Sequence, residues 1–304
     1  MTVTRSRPTP RRAPLWRSLL YVPAHVERFV AKAHTRGADA IQLDLEDSVP
    51  ASEKETARLA VPEAAELVSR AGADVVVRIN RPWRLALRDL EAAVSPRVAA
   101  LALPKVDSPD QVRLVDEVVA DLEEERGMAV GHTQLLVIVE TAAGFLRTDE
   151  IARACPRVAA LTLGSEDFAL DLGTAPEPEV LAYPKQHIVI AARAAGIAPL
   201  GLVGSTAGFA DIEGFREVVR SSRRLGYEGA SAIHPAQVPV LNEEFSPTEE
   251  EVDRARRVVV AYEQAVSGGR GAVDLDGQMI DAPVVARAER LLDLHQRLHE
   301  RSGP

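Results

Sequence analysis

Aromatic residues make up only 4% of this 304-residue chain, cysteine occurs once, and no apolar run approaches the length of a membrane span. Each scarcity excludes something. With so few aromatics, the 46% of hydrophobic residues must build a core from Ala, Val and Leu. The single cysteine, Cys155, excludes a disulfide framework and a thiolate metal cluster, and fits a reducing cytoplasm. Without a long apolar run no spanning helix is expected, and no membrane partner. Basic residues are the minority charge, 36 against 45 acidic, for a net −9. That excludes a global basic face for nucleic acid, so an anionic ligand needs local positive groups or a metal. Familiar site motifs are missing too. YVPAHVER is not GxGxxG, LGSED is not GxSxG, and neither HExxH nor paired CxxC occurs. The opening MTVTRSRPTPRRAP has no apolar stretch and several prolines. It reads as a disordered tail over 1–14 rather than a secretory signal or an amphipathic transit helix.

What the chain does have is a rhythm. Eight short apolar runs alternate with helix-patterned stretches: SLLYVP, AIQLDLED, DVVVRIN, ALALPKV, LLVIVET, ALTLGSED, LGLVGS and GASAIHP. Continuous apolar strands alternating with amphipathic helices predict a parallel sheet covered by helices. Eight repeats in about 250 residues predict an α/β chain folded as a (β/α)8 TIM barrel. A doubly wound open sheet is the runner-up, and the missing glycine-rich phosphate turn counts against it. In SPDQVRLVDEVVADLEEERG, Ser108 reads as a helix cap with Pro109 at the first helical position. After His234 the rhythm stops. SPTEEEVDRARRVVVAYEQAV reads as one capped helix from about Ser246 or Thr248, and VVARAERLLDLHQRLHE as a last helix. SGGRGAVDLDG, between them, reads as a flexible loop. The expected organisation is a barrel domain over 15–245 and a C-terminal helical extension over 246–304.

In such barrels the active site forms at the C-terminal ends of the strands. Those ends carry Asp44, Glu46 and Asp47 on the second strand, Arg78 and Asn80 on the third, and Lys105 on the fourth. Glu140 ends the fifth, Glu166 and Asp167 the sixth, and His234 the eighth. A ring of charges around one mouth must compensate itself or meet a ligand. Singly, Glu140 and Asp167 also read as solvated loop acids or helix caps. Together on neighbouring strands they supply the few oxygen ligands that Mg2+ takes beside water and substrate. On that reading Asp167 is a ligand and Glu166 shapes the loop. Arg78 suits two roles that are not exclusive: partner of Glu46, and forked donor to a carboxylate or thioester oxygen. Lys105, kept protonated by acidic surroundings, reads as an ion-pair partner rather than a Schiff-base lysine. His234 reads as structural, and Cys155 is assigned no chemistry.

The stretches RSLLYVPAHVERF, IQLDLEDSVP, VVRIN, LPKV, VIVETAAG, LGSEDFALDLG, GASAIHPAQVPVLNEEF and DGQMIDAPVV run in order from Trp16 to about Leu292. They resemble the citrate lyase β-subunit and malyl-CoA lyase family. The resemblance implies a (β/α)8 barrel that uses Mg2+, with Mn2+ as a substitute. The implied reaction splits a 3-hydroxyacyl-CoA thioester, of malyl-CoA or citramalyl-CoA type, into an acyl-CoA and a 2-oxo acid by retro-Claisen-type chemistry. It puts the metal on Glu140 and Asp167, and substrate binding and enolate stabilisation on Arg78. It also singles out Asp281, in QMIDAP, as an acid/base. Glu46 is expected among the catalytic groups, and Ser165, Glu166 and Lys105 among the substrate contacts. The segment around 271–283 is expected to act as a lid over a neighbouring subunit's site, in a cytoplasmic homotrimer or hexamer.

Two departures bear on the thioester. Relatives often carry a lysine just before IHP, where this chain has Ala230 and Ser231. Many read Tyr-Ala-Arg-Ser-Arg where it has Tyr183, Pro184, Lys185, Gln186 and His187. These changes affect the acyl specificity and the CoA grip, not the metal centre. Alternative functions on the same scaffold are a thioesterase, a subunit acting on an acyl-carrier-protein thioester, and a CoA-independent pyruvate-type aldolase. A non-catalytic partner subunit is opposed by the intact ring of charged groups.

Overall fold

The computed structural model describes residues 14–204 and 211–301. All but Pro14 of the expected tail lies outside the described residues, as does Ser205 at the end of the expected seventh strand. Eight strands follow the rhythm of the sequence: β1 (Ser18–Pro23), β2 (Ala40–Asp44), β3 (Asp74–Arg78), β4 (Val98–Leu103), β5 (Gln134–Val139), β6 (Val158–Leu163), β7 (Ala198–Pro199) and β8 (Ala230–Ala232). Between and after them lie α1 (Glu27–Ala33), α2 (Lys54–Val68), α3 (Trp83–Ala93), α4 (Pro109–Glu125), α5 (Ala142–Phe145), α6 (Thr148–Ala152), α7 (Ser165–Asp171), α8 (Pro178–Ala195), α9 (Ile212–Leu225) and α10 (Gln237–Glu244). All strand pairs in this sheet are parallel, in the order β7-β6-β5-β4-β3-β2-β1-β8. A parallel bridge between Leu200 and Gly229 joins the two ends. Gly201 N–H donates to Gly229 O at 2.8 Å and Glu228 N–H to Pro199 O at 3.0 Å. The sheet therefore closes, and the (β/α)8 expectation holds.

The apolar runs become strands because both of their faces are covered. Every residue of β2 is buried, and all but the first of β3. One cluster gathers alternate residues from seven strands: Leu19, Ala40, Val76, Ala100, Ala102, Leu136, Ile138, Ala160 and Ala198 among them. These fill the barrel interior, and the many alanines suit its narrow bore. Side chains alternate along a strand, so the same parity carries on upward. It delivers Tyr21, Asp44, Arg78, Glu140 and Gly164 to the inner face at the C-terminal rim.

Three features differ from the expectation or add to it. The seventh strand is shorter and earlier than LGLVGS suggests. Pro199 offers no N–H to the ladder, and Gly201 takes φ +148°, so the chain leaves the sheet there. LGSED does not end in a loop: Ser165 to Asp167 form the first turn of α7. PAQVPVLNEEF, left unassigned, contains α10.

The described residues divide into two compact units, with the break between Asn242 and Glu243. The second contains α11 (Glu249–Ser267), strands β9 (Val273–Leu275) and β10 (Gln278–Ile280), and α12 (Ala282–Arg301). Helix α11 opens on a capping box. Thr248 Oγ1 accepts Glu251 N–H at 3.2 Å, and Glu251 Oε2 accepts Thr248 N–H at 2.8 Å. Only the glycine-rich half of SGGRGAVDLDG forms the expected loop: the half from Val273 onward pairs with Gln278–Ile280 as an antiparallel hairpin instead. Its two-residue turn, Asp276-Gly277, has φ of +54° and +75°, the signs a type I′ turn requires. Ala255, Val258, Ile280, Val285 and Ala288 form the core of this unit.

Candidate active site

Asp44 and Arg78 lie side by side in the β2–β3 register. Arg78 Nε and Nη2 each donate to an Asp44 carboxylate oxygen at 2.7 Å. Arg78 Nη1 reaches Glu46 Oε2 at 3.0 Å and Asp47 Oδ2 at 3.6 Å. Its guanidinium also lies over the Tyr21 ring, 4.9 Å from the centroid. Glu46 is thus a secondary partner of Arg78, and the bidentate one is Asp44. Burial works to raise the Asp44 carboxyl, but Arg78 outweighs it and holds the group below its ordinary value. Ser48 Oγ donates to the same carboxylate.

Lys105 ties the strands together. Its φ of +50° is the left-handed region, strained for a side chain of this size and concentrated at functional sites. That turn lets its N–H donate to Glu140 Oε2 at 2.7 Å while its Nζ reaches Glu46 Oε1 at 2.6 Å. The same Nζ lies 3.4 Å from Asp167 Oδ1 and 3.6 Å from Asp47 Oδ2. Burial works to lower its pKa, and Glu46 and Glu140 reverse that and raise it. Burial and Asp47 raise the Glu46 carboxyl against the pull of Arg78 and Lys105.

Glu140 is 3% exposed. Burial first, and then the charges of Asp167 and Glu46, push its carboxyl up to about 8 against the opposing effect of Lys105. It packs onto the backbone of Gly164, where any Cβ would overlap its carboxylate. Among the described residues no group of three or more His, Cys, Asp and Glu side chains is arranged to hold a metal ion. Two carboxylates converge here, Glu140 and Asp167. A hard cation that keeps most of its waters needs no more than two protein oxygens. The surplus of negative charge around a desolvated Glu140 is relieved by a divalent cation, so the residues fit Mg2+.

A cavity of about 590 Å3 opens over these groups. Asp44, Arg78, Glu140, Ser165, Glu166, Asp167 and Lys185 line it. Glu46 and Lys105 stand behind Arg78 and Asp167 through the bonds above. Asn80 bonds to Asp89 of α3 instead, through both its backbone N–H and its side-chain amide. His234 Nδ1 accepts Ala236 N–H at 3.2 Å. Burial pushes the Cys155 thiol up to about 11, which leaves it inert. Asp281 belongs to the second unit. It immediately precedes α12, and its carbonyl accepts the Val284 and Val285 N–H groups at 3.0 Å.

A second hollow of about 600 Å3 was not read from the sequence. Arg28, Phe29 and Lys32 of α1 line it together with Arg36, Tyr21 and His234. The signal was present: cations at four-residue spacing in ERFVAKAHTR fall on one helical face. Net acidity of the whole chain hid that local stripe.

Comparison with known proteins fits this geometry. The chain is 36% identical over 290 residues to the citrate lyase subunit beta of Leuconostoc mesenteroides subsp. cremoris, covering 94% of this chain and 95% of that one. It is 35% identical to an L-malyl-CoA/beta-methylmalyl-CoA lyase of Cereibacter sphaeroides, over 88% of this chain and 89% of that one. Its fold matches the crystal structure of protein CitE from Mycobacterium tuberculosis in complex with magnesium, acetoacetate and coenzyme A. The TM-score is 0.73 at 30% identity, over 95% of this chain and 100% of that one. Residues 17–235 match the HpcH/HpaI aldolase/citrate lyase family; the chain belongs to that family and is a lyase.

Proposed function

We propose that the protein is a Mg2+-dependent carbon–carbon lyase that cleaves a 3-hydroxyacyl-CoA of malyl-CoA or citramalyl-CoA type into an acyl-CoA and a 2-oxo acid. The observation that carries this reading is the pairing, on one cavity, of two carboxylates, Glu140 just past β5 and Asp167 in the first turn of α7, with a guanidinium locked in place by Asp44. The basic groove of Arg28, Lys32 and Arg36 beside Tyr21 supports a phosphorylated carrier such as CoA.

Glu140 and Asp167 would hold the ion, which when bound supplies Lewis-acid polarisation of the oxygens at the hydroxy-acid end. Arg78 has five N–H groups. Three are engaged by Asp44 and Glu46, and Nη1 also faces Asp47, which leaves the second Nη2 N–H to meet charge that develops on the thioester oxygen as the carbon–carbon bond breaks. Because Asp44 already fixes the guanidinium, little reorganisation accompanies that step. Lys105 offsets the charge of Glu46, Asp47 and Asp167, and Glu46 in turn steadies Lys105 and Arg78. Ser165 and Glu166, at the start of α7, present backbone N–H groups to the oxo-acid carboxylate. The 3-hydroxyl would give its proton to water as the carbon–carbon bond breaks, and Asp281, delivered by a neighbouring copy of the chain, passes a proton drawn from water to the carbon of the departing enolate. Mn2+ is expected to replace Mg2+ at the same oxygens.

Mass spectrometry of purified protein incubated with malyl-CoA and citramalyl-CoA, with Mg2+ or with EDTA, tests this. Metal-dependent release of acetyl-CoA with glyoxylate or pyruvate is expected. Free CoA with the hydroxy acid intact would make the protein a thioesterase instead.

A further inference from the structure

Arg78 is held within its own plane by acids and across that plane by a ring. Its Nε and Nη2 donate to Asp44 at 2.7 Å, and Nη1 reaches Glu46 at 3.0 Å and Asp47 at 3.6 Å. Hydrogen bonds from a guanidinium run along its N–H directions, which lie in the plane of the group. They resist sliding within that plane more than rocking across it. Tyr21 supplies the other restraint. The Arg78 Cζ lies over its ring, 4.9 Å from the centroid, within the range of a cation–π contact.

The sheet puts the ring there. Leu19 belongs to the barrel interior, so Tyr21, two residues further along β1, stands on the same face at the rim. It is half-buried and lines the cavity that Arg78 and Glu140 line. Burial raises its phenol above the ordinary value of 10.0, and Asp44 and Glu140 add to that against Arg78. The side chain therefore meets Arg78 as a neutral ring. Its neutrality has a chemical use. Three carboxylates already face the guanidinium, and a fourth would offset more of the positive charge on which the reaction draws. A ring face restrains the cation without taking an N–H and without adding a counter-charge. The second Nη2 N–H stays available to the thioester oxygen.

We infer that Tyr21 is a positioning residue for the cleavage step: its ring face, not its hydroxyl, holds the Arg78 guanidinium in the orientation that meets the thioester oxygen. This rests on the reading of Arg78 as the group that stabilises the enolate. An oriented donor acts where charge develops, so loss of the ring should fall on kcat rather than on KM.

Steady-state kinetics of the full chain, with Mg2+ and the CoA ester that the wild type cleaves, test it. Tyr21→Leu should lower kcat about fivefold to thirtyfold, the worth of one cation–π contact away from bulk water, with little change in KM. Tyr21→Phe keeps the ring face and should recover most of that loss. Phenylalanines carrying one, two and three ring fluorines at position 21 keep the shape and weaken the negative face. Across that series kcat should fall at each step, and the series decides the matter even where Tyr21→Leu fails to fold. A flat series overturns the inference. A loss in Tyr21→Phe as large as that in Tyr21→Leu also overturns it, because it would give the role to the hydroxyl. So does a raised KM with kcat unchanged, which would make Tyr21 only a wall of the cavity. Absence of wild-type cleavage overturns the inference together with the function beneath it, whereas a flat series in an active enzyme overturns the inference alone.

Discussion

At the scale of single residues, the site depends on what is absent as much as on what is present. Gly164 leaves the space that the Glu140 carboxylate fills. Gly164→Ala should displace that carboxylate and weaken Mg2+ binding about tenfold to a hundredfold, the range for disturbing a ligand's support. Titration of Mg2+ against the thermal melt will read this, with circular dichroism checking that the metal-free protein stays folded. Arg78→Lys keeps the charge but cannot span both Asp44 oxygens. It should lower kcat about a hundredfold to a thousandfold, measured on the CoA ester that the wild type turns over. An unchanged kcat would remove Arg78 from the chemistry. The strand-end position of both residues was legible in the sequence. The partner of Arg78 was not: the sequence reading names Glu46, and the β2–β3 register instead puts Asp44 directly across from Arg78.

At the scale of elements, α4 is fastened to the start of β6 by a buried ion pair away from the cavity. Arg157 Nη2 lies 2.7 Å from Glu123 Oε2, and Glu123 also accepts N–H groups from Gly131 and Thr133 at 2.7 Å each. Burial works to raise the Glu123 carboxyl, yet Arg157 and those two donors hold it below its ordinary value of 4.5. A depressed carboxyl contributes stability that is present above that ordinary value and is lost as the pH falls through the depressed one. Glu123→Gln should therefore cost about 3–5 kcal/mol near neutral pH, with the deficit shrinking toward acid. Urea melts at pH 7 and pH 3 check both halves, and a deficit that grows in acid would contradict the assignment. Helix starts such as Thr248 and Ser108 were readable because capping is a local hydrogen-bond rule. The hairpin β9–β10 was misread as a loop, although Asp276-Gly277 is a turn pair, because three-residue strands leave little alternation to see.

At the scale of the whole molecule, the groups assigned to one reaction lie in two compact units. Arg78, Glu140 and Asp167 are in the first and Asp281 is in the second. With Asp281 supplied by a neighbouring copy, a mixture of two inactive variants should recover activity. Co-expressed Arg78→Met and Asp281→Asn chains, each inactive alone, should form mixed oligomers with a substantial fraction of wild-type turnover. Failure of purified mixed oligomers to recover activity would place Asp281 outside the shared site. Among the described residues no helix is long and apolar enough to cross a membrane.

The sequence by itself determined the number and order of the eight barrel strands, the parallel sheet and the charged rim. Each follows from local periodicity, and alternation along a strand already decides which residues share a face. Only the tertiary structure decided how that rim is wired. Strand register chose Asp44 for Arg78, and the left-handed turn at Lys105 aimed one residue at both Glu140 and Glu46. The folded packing also stacked the basic stripe of α1 beside Tyr21 and buried Lys185 in the cavity within the field of Glu166. Such pairings join residues tens of positions apart, and the chain itself carries no local mark of which distant charge a given side chain will meet.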